Sequence, residues 1–235
     1  MTILKTAGVL AFAVACFTSA SATAQVVKTK VSGGAILSTT EPKASIVTPD
    51  AQPKTEEALP AGATVIYSNF GTGSSVYDAA TGWTEAGQEA NDYPLAEAMS
   101  FTPDASYVLL RIDAAFTWVT GTNGVKLELA EDNAGVPGPV IFTASFTNLP
   151  VFGTCCTVQT VTLAPTKTDY IELKGGKTYW LYPLPADTTS YLVWNLDTTN
   201  MSGNGAVSET YGHTWTAASL SPFGAFDVYG MKQAH

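Results

Sequence analysis

The chain has 235 residues, of which 46% are hydrophobic and 11% aromatic, enough to form the core of a globular domain. Its formal net charge is −9, from 20 acidic and 11 basic residues. This excess of negative charge argues against nucleic acid and anionic membrane surfaces as partners.

The N-terminus has the features of a secretory signal peptide. Lys5 precedes the uncharged apolar run "TAGVLAFAVACFTSA", and Ala22-Thr23-Ala24 forms a small-residue cleavage site. We therefore expect residues 1–24 to be removed and the protein to be secreted. An alternative remains, because "AVAC" at residues 13–16 resembles a lipoprotein signal, which would leave the chain anchored through Cys16. No later apolar stretch is long enough to cross a membrane, so we expect no transmembrane segment in the mature chain.

Residues 25–60 are predicted to be a disordered linker. Four prolines, at positions 42, 49, 53 and 60, stand among Thr, Lys, Glu and Ala without a sustained helical or strand period. Such composition is typical of a solvated, semi-extended spacer.

From residue 61 onward the sequence alternates with the two-residue period of β-strands. In "YVLLRIDAAFTWV" the even positions 108–118 are all apolar, while Arg111 and Asp113 fall on the opposite face, which we expect to meet solvent. "VKLEL", "VIFTASF", "YLVWNL" and "AFDVYG" repeat the pattern, with turn signals such as "GTNG" and "KGGK" between strands. The prediction is an all-β fold, an antiparallel β-sandwich like a jelly roll, over residues 61–231, with a short tail at 232–235.

"PVFGTCCT" places two cysteines side by side. If the signal peptide is removed, Cys155 and Cys156 are the only cysteines left, and an oxidising compartment favours a disulfide. Neighbouring Cα atoms lie about 3.8 Å apart, less than ordinary disulfides span, so the bond would close a tight ring. We favour this vicinal disulfide, and the alternative is two reduced thiols packed as small hydrophobes.

The sequence predicts no catalytic activity. His213 and His235 are the only histidines, and no nucleophile, metallopeptidase or phosphate-binding motif is present. A glycosidase needs two carboxylates across a cleft. Glu128 is expected on the solvent face of its strand, and other candidates such as Glu85 and Glu131 are expected in turns.

Two loops contain residues suited to calcium, and no other cofactor is expected. Carboxylate and amide oxygens occur beside glycines at four positions: Asp132, Asn133, Asp197 and Asn200. The same residue types form turns without any ion, and this turn interpretation stays open beside the calcium one.

Aromatic residues near loops are the main indication of binding. Flat amphipathic rings can stack on sugar faces or anchor a protein partner. The candidate ligand-binding residues are Trp83, Tyr77, Tyr182, Tyr211 and Trp215. Alternatively, these rings cover the ends of the sandwich.

Several segments together resemble a known family. "VIYSNFGTGSSVYDAATGWT", "FTPDASYVLLRIDAAFTWVTGTNGVKLELAEDNAGVPG", "LPVFGTCCTVQTVTL" and "LKGGKTYWLYPL" are similar in content and order to the bacterial exported domain called choice-of-anchor R. The resemblance implies an exported β-sandwich with varied surface anchors and no established enzymatic activity. Members often end in a sorting segment, whereas this chain ends in "MKQAH", so we expect no such anchor.

Two functions fit these observations. The first is a non-catalytic exported protein that binds extracellular or envelope polysaccharide through loop aromatics. The alternative is a structural protein of the cell surface or matrix that assembles with itself or with a protein partner.

Overall fold

The computed structural model describes residues 25–31, 34–40, 58–73 and 75–233. The signal peptide, Cys16, most of the proline-containing linker and the last two residues therefore lie outside the described residues, and the predictions made for them stay predictions.

The described residues form an all-β structure in which the sole helix, α1, has four residues (Gln88–Asn91). Within the described ranges no helix has the length and apolarity needed to cross a membrane. The strands are β1 (Gln25–Val31), β2 (Gly34–Thr40), β3 (Thr64–Ser68), β4 (Asp78–Ala86), β5 (Ala96–Phe101), β6 (Tyr107–Ala114), β7 (Phe116–Thr120), β8 (Gly124–Asp132), β9 (Pro137–Thr147), β10 (Gln159–Thr162), β11 (Glu172–Leu173), β12 (Tyr179–Pro185), β13 (Tyr191–Leu196), β14 (Gly203–Ser208), β15 (Thr216–Leu220) and β16 (Phe226–Lys232).

The strands pack as two layers in jelly-roll order. The first layer joins the sheets β1-β2-β4-β13-β7 and β10-β6-β16-β3, because β6 continues into β7 through Ala115 alone. The second layer is β15-β14-β5-β12-β8-β9. At the centre, the first layer contributes β4, β13, β6/β7 and β10, and the second layer contributes β5, β12, β8 and β9. This strand order is that of a jelly roll. The predicted fold class, an antiparallel β-sandwich, is confirmed.

The core between the layers is rich in large rings, and tryptophan and phenylalanine from the first layer meet leucine and tyrosine from the second. Trp194 lies within 5.8 Å of Phe116 and 5.6 Å of Phe226 between ring centroids. Opposite them the alternating β8 residues Leu127 and Leu129 have no exposed surface. The alternating apolar residues that predicted these strands are therefore the residues that form the core.

Two segments of the predicted linker, residues 25–31 and 34–40, form strands. β1 and β2 pair with each other across Val31–Gly34, and β2 continues the first layer by pairing with β4. The linker interpretation is therefore wrong for these two strands. Hydrogen bonding to the edge of an existing sheet stabilises strands whose own sequence only weakly indicates a strand.

Strand β6 differs from the prediction, because both of its faces are buried. Arg111 and Asp113 are 3% and 0% exposed rather than solvated. A β-bulge at Leu110, where the pairing shifts between Tyr229 and Gly230, changes the phase of the alternation and turns Leu109 into the core.

Candidate functional site

Two clefts open at opposite ends of strands β4 and β13. The first, called here the histidine cleft, has a volume of about 440 Å³ and is lined by Thr122, Asn123, Gly124, Val125, Lys126, Ser145, Phe146, Thr147, Leu184, Pro185, Ala186, Tyr211 and His213. The second, called the disulfide cleft, has a volume of about 580 Å³ and is lined by Ser75, Tyr77, Asp78, Ala79, Ala80, Cys155, Leu196, Asp197, Thr198, Asn200 and Pro222.

The histidine cleft is built where several strand connections meet. The turn between β7 and β8 is fixed by Asn123, whose side-chain amide donates to the Leu149 carbonyl (3.0 Å) and accepts from the Leu149 N–H (2.7 Å). These paired bonds tie the turn to the end of β9, so the floor of the cleft is preorganised.

Asp187 holds the wall of this cleft together. Its carboxylate accepts hydrogen bonds from Thr189 N, Thr189 Oγ1 and Ser190 N at 2.8, 2.8 and 3.1 Å. Hydrogen bonds, first from Thr122 and then from Thr189, lower the pKa of Asp187 to about 2. At neutral pH Asp187 is therefore ionised, the form that accepts the hydrogen bonds closing the β12–β13 connection.

Two half-buried rings, Phe146 and Tyr211, border the histidine cleft. Tyr211 has a left-handed backbone (φ +55°), and its hydroxyl accepts from Gln88 N at 2.9 Å, so the ring is held in place from both ends. Around them lie the side chains of Asn123, Lys126 and His213. The cleft therefore combines flat apolar surface with donors and acceptors, the composition of small-molecule and sugar sites.

Tyr182 and Trp215 lie beside this cleft, on the outer face of the second layer. Their rings meet edge to face with centroids 4.7 Å apart, but Tyr182 is only 2% exposed. Burial, followed by a hydrogen bond with Glu128, raises the pKa of Tyr182 above its usual range. Of this pair, only the half-buried Trp215 offers a surface to a ligand.

Further expectations about single residues are wrong, including the turn positions expected for Glu85 and Glu131, which lie in strands β4 and β8. Glu128 is 7% exposed rather than solvated, because Tyr182 and the Lys126 ammonium (2.7 Å) cover its carboxylate. Trp83 lies in strand β4, not in a loop, and is 1% exposed with its Nε1 donating to the Pro222 carbonyl. The Trp83 ring is a core element and has no open face for a sugar.

At the other end, the sulfur atoms of Cys155 and Cys156 are bonded to each other, and the vicinal pair is present as predicted. The loop that carries them crosses the outer face of the first layer. Phe152 N donates to the Trp118 carbonyl at 2.8 Å, and the Phe152 ring packs on Val193. The Tyr77 hydroxyl lies 3.3 Å from the carbonyls of both Thr154 and Thr157, which flank the cysteines.

The four candidate calcium residues lie in two separate places. Asp132 caps the β8–β9 turn by accepting from Gly135 N, and it also accepts from Trp180 Nε1 at 2.8 Å. The neighbouring Asn133 closes that turn through its backbone. Asp197 and Asn200 line the disulfide cleft, where Asp197 Oδ1 accepts from Thr199 N and Met201 N. In the described part of the chain no three acidic, histidine or cysteine side chains gather around one point.

The structure thus divides the candidate binding residues. Tyr211 lines the histidine cleft, Trp215 stands near it, and Tyr77 belongs to the disulfide cleft with Cys155, Asp197 and Asn200. Sequence reasoning missed Asn123, Phe146 and Lys126. A usable signal was their position, since Lys126 and Phe146 stand at or next to the end of a predicted strand and Asn123 lies in a predicted turn between two strands.

Comparisons with protein-family models, with curated proteins and with solved structures found no match for this chain. The resemblance to choice-of-anchor R domains, drawn from the residues, therefore stays a prediction.

Proposed function

We propose that this protein is an exported, non-catalytic module that binds extracellular or envelope polysaccharide in the histidine cleft. One observation carries the proposal, the pairing of two half-buried rings, Phe146 and Tyr211, with a rim of amide, hydroxyl and cationic side chains. Sugars present an apolar ring face and a polar edge, and this cleft offers both complements.

The arrangement of charges supports binding rather than hydrolysis. No carboxylate belongs to the lining of the histidine cleft, whereas glycoside hydrolysis uses two across the scissile bond. Export is part of the proposal, because the signal-like N-terminus and the vicinal disulfide both fit an oxidising compartment.

We expect the purified full chain to be retained by at least one polysaccharide in a panel of soluble and insoluble polymers. Tyr211→Ala should weaken retention by about tenfold, since it removes one stacking ring. Tyr170→Ala is the matched control, because Tyr170 is 47% exposed and lines a different pocket. Chelator should leave retention unchanged, and a loss of retention with chelator would assign calcium to the Asp132 or Asp197 loop.

Absence of retention across the panel, or equal retention of the Tyr211→Ala variant with its fold intact by circular dichroism, contradicts the proposal.

A second candidate function, assembly at the cell surface, is favoured by strand β9. This strand has eleven residues, Pro137–Thr147, contains no charged side chain, and forms an edge of the second layer. Val140 on it is 45% exposed. Long uncharged edges accept further strands, and proteins that avoid this place charges there.

If β9 pairs between copies, sedimentation velocity should detect larger species as the concentration rises. Thr143→Lys, at an exposed position of β9, should return the protein to a monomer, while Thr168→Lys in an exposed loop should not. A monomer at every concentration excludes this function for the isolated protein.

A further inference from the structure

The two sulfurs of the vicinal disulfide have different surroundings. Cys155 is exposed and lines the disulfide cleft. Cys156 is 7% exposed and packs in a cluster with Val76, Tyr77, Ala115 and Ala225. The S–S bond therefore connects a sulfur at the cleft wall with one inside an apolar cluster.

We propose that this bond is a thiol-exchange site that opens at Cys155 and takes small cationic thiols in preference to anionic ones. The site is separate from the histidine cleft and does not depend on polysaccharide binding.

The surroundings decide which sulfur is attacked. Exchange begins when a thiolate attacks one disulfide sulfur in line with the S–S bond, and the other sulfur leaves. The cleft gives access to the Cys155 sulfur, whereas a thiol reaching the Cys156 sulfur would have to pass through the apolar cluster. Attack at Cys155 forms a mixed disulfide there and breaks the S–S bond. The electron pair passes to the Cys156 sulfur, which then takes up a proton, and there is no net oxidation.

The charge of the cleft decides which thiol is preferred. Its lining contains the carboxylates of Asp78 and Asp197 and no Lys, Arg or His. Asp78 is half-buried, and its Oδ1 accepts from Ala80 N at 2.9 Å, so the carboxylate is fixed on the cleft wall. A cationic thiol is attracted to this site and an anionic one is repelled.

The modification should be reversible without large movement of the loop. Tyr77 holds the loop through the carbonyls of Thr154 and Thr157, on either side of the cysteines. Cys156 therefore stays next to the mixed disulfide, and its thiolate can attack Cys155, expel the small thiol and restore the original bond.

The test uses the oxidised full chain with two thiols of equal spacer length, cysteamine and 2-mercaptoethanesulfonate. Exchange is stopped with acid, which protonates the thiolates, and the adduct is located by peptide mass spectrometry. We expect the adduct on Cys155, with a free thiol at Cys156, and an initial rate per thiolate about tenfold higher with cysteamine.

Two variants test the cause of the preference. Asp78→Asn keeps the acceptor for Ala80 N but removes the charge, and it should lower the ratio of the two rates by about threefold. Asp169→Asn removes a charge that lines another pocket and should leave the ratio unchanged. An adduct on Cys156, no adduct on either cysteine, equal rates for both thiols, or a ratio insensitive to Asp78→Asn overturns the proposal.

Discussion

Replacing Arg111 by Met is expected to lower the free energy of unfolding by about 3–5 kcal/mol, the usual cost of removing one partner of a buried ion pair. Arg111 Nε and Nη2 donate to the two carboxylate oxygens of Asp113 at 2.8 and 3.0 Å. Asp113 has no exposed surface, so water cannot replace the guanidinium. Urea unfolding at neutral pH measures the loss.

The double variant Arg111→Met with Asp113→Asn separates charge from packing. The Asn side chain keeps an acceptor for Thr160 Oγ1, which donates to Asp113 Oδ1 at 2.7 Å, but carries no charge. We expect the double variant to be more stable than Arg111→Met alone by more than about 1 kcal/mol. If the two are equally stable, lost packing of the arginine stem, and not the charge left on buried Asp113, explains the effect.

This ion pair illustrates what alternation along one strand leaves undetermined. The pattern around Arg111 correctly predicted a strand, because the period of two follows from the pleat. It did not predict burial of the polar face, which depends on what packs there from other parts of the chain. A single sequence also does not predict the β-bulge at Leu110, because an extra residue can be recognised only when β6 is aligned with its partner strand, β16.

Trp83 shows a second limit of prediction from sequence, which is that glycine does not always indicate a loop. "TGWT" has the composition of a loop, yet Gly82 lies in strand β4, where a Cβ atom would collide with Val193 and with the Trp194 carbonyl. Here glycine permits close approach of strands rather than a turn. The histidine cleft was only partly predictable for a related reason: the meeting of Asn123, Phe146 and Tyr211 depends on strand order, and a single sequence carries little information about that order.

The second large effect expected is a loss of stability as pH rises, caused by a pair of buried carboxyl groups. Glu85 on β4 and Glu97 on β5 are both 0% exposed, and the Glu97 N–H donates to Glu85 Oε2 at 3.2 Å. Burial, and after it the charge of Glu97, raises the pKa of Glu85 well above its usual range. Glycosidase-like use of Glu85 is excluded by the same burial.

The sign follows from proton binding. The pKa of Glu85 in the unfolded chain is about 4.3. Above it, the unfolded chain has lost the Glu85 proton while the folded chain retains it. Folding then takes up one proton, so the free energy of unfolding falls by up to about 1.4 kcal/mol per pH unit until the folded-state pKa is passed. Below the unfolded-state pKa the contribution of Glu85 is fully present.

Glu85→Gln is expected to remove this dependence. The amide keeps an oxygen to accept from the Glu97 N–H and needs no proton to stay neutral, so the variant should be more stable than the wild type at neutral pH. The difference should shrink as the pH approaches about 4, where the wild-type carboxyl is protonated in both states. Urea unfolding at successive pH values, with Glu209→Gln at an exposed position as the control, measures both slopes. Parallel curves for wild type and Glu85→Gln would mean that Glu85 is ionised in the folded protein, and its burial would then require a compensating positive charge beside it.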